Sequence, residues 1–130
     1  MAINKEIIVD SDTHALIKFH ADAGGANNSY RVGEFKGGTD NVSVIAIEFI
    51  HFSLFEDNLT PDDKCIVTFS DLGSNHNTIY NLFGQGKIGK PGQRISEDLD
   101  ETTRDAIRVV FQGGSKGTVL ILLRKVSGFA

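Results

Sequence analysis

Apolar positions along this chain fall in short alternating blocks separated by glycine, asparagine, aspartate and serine, and helical spacing hardly occurs. The blocks are Glu6–Asp10, Ala15–Ala21, Ser29–Phe35, Val42–Phe52, Lys64–Ser70, Thr78–Phe83, Ala106–Gln112 and Thr118–Val126. Each has the length of a strand and most are bounded by turn-forming residues. Glycine tolerates the positive φ of tight reversals, so Gly24-Gly25, Gly37-Gly38, Gly84/Gly86/Gly89 and Gly113-Gly114 read as turns between antiparallel strands. Eight strands spaced this way predict an all-β chain, a sandwich or a small barrel.

Two blocks look central. In Val42–Phe52 one parity carries Ile45, Ile47 and Phe49, and the other carries Val44, Ala46, Ile50 and Phe52 with Glu48 among them. In Thr118–Val126, Val119, Ile121 and Leu123 oppose Leu120, Leu122 and Val126. A strand apolar on both faces needs cover on both faces. One cover is the opposing sheet; the other is a loop or a neighbouring subunit, which leans towards an oligomer. Helix signals are sparse. Thr60-Pro61-Asp62-Asp63 has the chemistry of a helix start, but the next strand block follows at once, so a single turn is expected. The segment Gly84–Glu101 is the longest without a convincing strand, and long excursions of that kind are usually functional or contact-making.

Composition narrows the class. At 130 residues, 40% hydrophobic and 23% charged, the chain makes one ordinary globular domain, 1–130, with enough core to fold without staples. A net charge of −4 argues against nucleic acid, which is held by neutralising phosphates. A single cysteine, Cys65, can neither bridge within the chain nor build a cysteine-rich metal site. No apolar run reaches the roughly 18 residues of a membrane helix, and the N-terminal residues carry charges where a signal peptide is hydrophobic. A soluble chain of a reducing compartment is the expectation.

Candidate chemistry is thin. Gly84-Gln85-Gly86-Lys87-Ile88-Gly89-Lys90 has the glycine and lysine spacing of a phosphate loop, but Pro91-Gly92 stands where the hydroxyl and the helix should follow. A basic hairpin or loop is the plainer reading. His14, His20, His51 and His76 show no metal-ligand spacing; His20 and His51 could face one another across a sheet, and structural or surface roles are expected. Glu48, amid apolar neighbours, is the acid whose environment is most unusual, and pairing with Arg108 or Arg124 is a commoner fate for it than catalysis. Glu97, Asp98, Asp100 and Glu101 read as a solvated acidic face. Cys65 opens an apolar strand, where cysteine is usually an inert small hydrophobe. No cofactor and no catalytic or metal-binding residue is expected.

A resemblance sharpens the expectation. The early strand Ala15-Leu16-Ile17-Lys18-Phe19, the turn Gly24-Gly25-Ala26-Asn27-Asn28, the central Val44-Ile45-Ala46-Ile47 and the closing Val119-Leu120-Ile121-Leu122-Leu123-Arg124-Lys125 give a chain that resembles small all-β virion proteins of tailed bacteriophages. The likeness is to capsid decoration, or cement, proteins. It implies an antiparallel, jelly-roll-like β-sandwich of about eight strands, non-enzymatic, assembled in the host cytoplasm into the virion. It also implies that the major capsid protein is the partner, with self-association as a trimer or dimer. Ile7, Ile8, Phe55 and Phe129 are the candidate interface residues. The alternative is a tail- or fibre-associated module binding a glycan or host receptor, for which an aromatic groove around Tyr30 or Tyr80 would speak.

Overall fold

The computed structural model describes residues 3–11, 13–22, 25–31, 34–35, 44–55, 64–70, 76–90, 93, 95–96, 99–100 and 106–127. Ten strands occur among them: β1 (Ile3–Asp10), β2 (His14–Ala21), β3 (Ala26–Arg31), β4 (Val44–Phe55), β5 (Lys64–Ser70), β6 (His76–Leu82), β7 (Gln85–Gly89), β8 (Leu99–Asp100), β9 (Ala106–Gln112) and β10 (Lys116–Ser127). The expected turn at Thr60–Asp63, the pair Gly37-Gly38 and Phe129 lie outside the described residues.

All described pairings are antiparallel, and they divide the strands between two sheets. The larger sheet runs β1-β2-β10-β4-β7, with the two-residue β8 also on β4, and the smaller runs β3-β9-β5-β6. The pairs β2·β10, β3·β9, β4·β7 and β5·β6 are nested, each enclosing the next along the chain. A long hairpin strip rolled so that alternate pairs fall in opposite sheets is a jelly roll. The fold is therefore an all-β jelly-roll sandwich: eight strands make the roll, and β1 and β8 extend its larger sheet.

The core lies between the sheets. Strand β2 alternates cleanly, with Ala15, Ile17, Phe19 and Ala21 fully or almost fully buried and the intervening residues half-buried. Strand β10 does the same with Val119, Ile121 and Leu123. From the smaller sheet come Cys65, Val67, Phe69, Ile107, Val109 and Phe111. Each buried Ile, Leu or Phe stabilises the fold by roughly 1.5–3 kcal/mol.

The mixed parity of β4 has a structural cause. Leu122 pairs with Phe49 and Leu123 with Ile47, so Glu48 is an extra residue, a β-bulge. The bulge switches which parity faces inward. Ile45 and Ile47 point to the core before it, and Ile50, Phe52 and Leu54 after it. Phe49 is thereby turned outward.

The segment Gly84–Glu101 departs from expectation. Strand β7 lies within it and pairs with β4 from Ser53 to Phe49. Beyond β7, the Ile95 amide donates to the Ile47 carbonyl at 2.7 Å and Ser96 Oγ accepts from the Ile47 amide at 2.8 Å. Leu99 and Asp100 then pair with Ile45 and Val44. The described parts of this stretch thus line one edge of β4 and leave little of it free. Gly89 is forced by that closeness: its φ is +80°, and a Cβ there would stand 2.3 Å from the Glu48 carbonyl oxygen. The sequence signal of a turn was a signal of close backbone approach.

Candidate functional site

The register of the larger sheet sets the outward side chains in rows. One row runs Val9, Leu16, Leu122, Phe49 across β1, β2, β10 and β4, so four apolar side chains are cross-strand neighbours on the face away from the core. Val9 is 48% exposed, and Leu16, Leu122 and Phe49 are half-buried. Beside Val9 stands Ile8, the extra residue of a bulge in β1, at 45% exposed. Of the candidate interface residues, Ile8 is thus placed on this face, and Phe55 ends β4 with its ring 55% exposed. Ile7 is turned inward, opposite Ile17, and packs against the core.

At one end of the face, an ionic cluster on β2, β10 and β4 borders the row along its length. The Glu48 bulge carboxylate is fully buried, yet Arg124 Nε donates to Oε2 at 2.6 Å and His14 Nε2 lies 3.1 Å from Oε1. The other ring nitrogen, Nδ1, lies 2.9 Å from Thr13 Oγ1. Both carboxylate oxygens are engaged, and the cluster joins β2, β4 and β10. The expected pairing with Arg124 is found. Arg108 lies on β9, in the other sheet. On the core side of the same end, Lys125 Nζ, almost wholly buried, donates to Asp10 Oδ1 and to the Ser11 carbonyl, each at 2.5 Å.

At the opposite end of the face stands a second chain of polar groups. His20 Nε2 lies 2.9 Å from Asp22 Oδ1, and its Nδ1 lies 2.8 Å from the Thr118 hydroxyl oxygen. His20 lines two adjoining hollows. One, of about 190 Å³, is lined by Asn4, Glu6, Lys18 and His20. The other, of about 250 Å³, is lined by His20, Ala21, Asp22, Ser53, Phe55, Lys116, Gly117 and Thr118. The floor of the second depends on Gly117, whose φ is +134° and whose Cβ would lie 2.2 Å from the Ser53 carbonyl oxygen.

His20 and His51 do not meet: β10 runs between their strands, with Thr118 opposite His20 and Leu120 opposite His51. His76 Nδ1 lies 2.7 Å from Ser70 Oγ on β5. Among the described residues, no three His, Cys, Asp or Glu side chains converge as a metal ion would need. Gly84–Lys90 is mostly strand β7, not a loop; Lys87, facing outward beside His51, belongs to a sheet edge. Burial pushes the Cys65 thiol well above its ordinary range. Tyr30 is a core residue, its ring 5.8 Å from that of Phe19 and 5.6 Å from that of Phe35. Burial, with Glu34 and Glu6 nearby, raises its phenol. The Tyr80 hydroxyl, also raised by burial, donates to the Ile95 carbonyl at 2.7 Å and ties β6 to the segment along β4. Neither tyrosine is a surface platform; the ring beside a groove is Phe55.

Sequence reasoning missed Asp22, Ser53 and Thr118, and missed His14 as the second partner of Glu48. No local signal marks them. They become neighbours only when β2 and β4 pair with β10.

No protein-family model matches the chain, and no curated protein matches it. Among solved structures it is similar to a cupin domain from Bordetella pertussis Tohama I, at 6% identity and a TM-score of 0.42, over 96% of this chain and 94% of that one. The fold assignment stands on the nested strand pairs themselves.

Proposed function

We propose that this chain is a non-enzymatic structural protein that binds protein subunits through the outer face of its larger sheet. In keeping with the resemblance, we assign it to the capsid decoration proteins of tailed phages, binding the major capsid protein and its own copies. The observation that carries the reading is the row Val9, Leu16, Leu122, Phe49, extended by Ile8: contiguous apolar side chains on a sheet face away from the core. Contiguous apolar surface of this kind marks a protein contact. The ionic cluster beside it holds three strands in fixed register, which suits a rigid docking face.

The reading is tested by light scattering on the purified chain and by co-sedimentation with phage heads that lack it. A dimer or trimer that binds heads supports it, and Leu122→Glu, checked to melt within a few degrees of the parent, is expected to abolish both. A monomer at about 100 µM that leaves the heads unbound would overturn it, since an interface of standard size gives far tighter association.

A further inference from the structure

The two hollows share His20 and together make a shallow groove of mixed polar and apolar lining across β1, β2, β10 and β4, about 13 Å along the strands from the apolar row. We propose that this groove binds a neutral saccharide chain. Each hollow is smaller than the roughly 300–1,000 Å³ that encloses a compact drug-sized ligand. Two small adjoining hollows suit successive units of a chain instead.

The lining specifies the chemistry. Phe55 offers an exposed aromatic face at one end, on which the C–H face of a sugar ring can lie. Around it stand groups that bond hydroxyls: Ser53, Thr118, Asp22 and, beyond His20, Asn4 and Glu6. The contacts of His20 with Asp22 and Thr118 hold these groups in place. Thr118 Oγ1, beside His20 Nδ1, keeps hydrogen-bonding capacity for a sugar hydroxyl, and the 85%-exposed Asp22 carboxylate is an acceptor. The formal charges of the lining balance, Glu6 and Asp22 against Lys18 and Lys116, so the groove has no net charge to select an ion.

The test is titration of the full ¹⁵N-labelled chain with maltotriose, cellotriose and chitotriose, and with 3′-sialyllactose as the charged probe. At least one neutral trisaccharide is expected to shift the amides of His20, Ser53, Phe55 and Thr118. Phe55→Ala and Thr118→Val are each expected to weaken binding about tenfold with the fold intact by melting temperature, and Phe55→Tyr to preserve it. No shift with any neutral probe at about 10 mM, a concentration that reveals even millimolar affinity, overturns the proposal. So does preference for the sialylated probe, or binding that Phe55→Ala leaves unchanged. Leu122→Glu lies outside the groove and is expected to leave the sugar-induced shifts in place, so this proposal and the assembly reading fail separately.

Discussion

Glu48 is a fully buried acid whose carboxylate is held by Arg124 and His14, on different strands. Removing the Arg124 guanidinium leaves its charge under-compensated, which typically costs several kcal/mol, whereas removing the ion pair as a unit costs far less. Arg124→Met is therefore expected to destabilise the protein by about 2–4 kcal/mol in urea unfolding, and Glu48→Met with Arg124→Met to recover most of the loss. Cys65 supplies a pH test. Its raised pKa means that the native state keeps a proton the unfolded chain releases. Its contribution to stability is fully present below the ordinary thiol range, about pH 8.5, and is lost progressively as pH rises above it. Tyr30 and Tyr80, also raised, act in the same direction at higher pH. The checks are melting temperature between neutral pH and about pH 10, expected to fall, and thiol labelling, expected only in denaturant.

At the scale of strands, bulges and close approaches decide what the pattern alone leaves open. Gly89→Ala places a Cβ against the Glu48 carbonyl at a φ that alanine rarely adopts, so a loss of about 2 kcal/mol or more in melting is expected, with faster hydrogen exchange along β7. Eight strands were legible because β-branched and aromatic alternation is written locally. Strand β7 was not, because Gln85-Gly86-Lys87-Ile88-Gly89 has one apolar side chain and its glycines serve proximity to β4. The bulge at Glu48 shows in the sequence only as a broken alternation, which looks like an apolar strand with two covered faces. Part of that reading survives in Phe49, Leu120 and Leu122, which face outward and are half-buried. The candidate sites were the least legible, since the His20–Thr118 and Glu48–His14 contacts span 98 and 34 positions. A spacing motif cannot register pairings of that length.

At the scale of the molecule, the nested pairs make most contacts distant in sequence. Loop closure must precede such contacts, so refolding in milliseconds to seconds is expected, measurable by stopped-flow tyrosine fluorescence. The two sides of the sandwich are stitched by different means. On one, Lys5 reaches from β1 to the Ser29 carbonyl at 2.7 Å, with its ammonium 4.3 Å from the centre of the Tyr30 ring. On the other, Tyr80 reaches the segment along β4.

The placement of β10 between β2 and β4 has a consequence during synthesis. Both flanking strands leave the ribosome well before the one that joins them, and until then β2 and β4 each keep an unsatisfied hydrogen-bonding edge. Any copy of β10 can pair with those edges, including one from a sister chain on the same message. Crowded folding therefore favours strand exchange, and refolding at rising concentration should yield intertwined dimers that dilution separates only slowly.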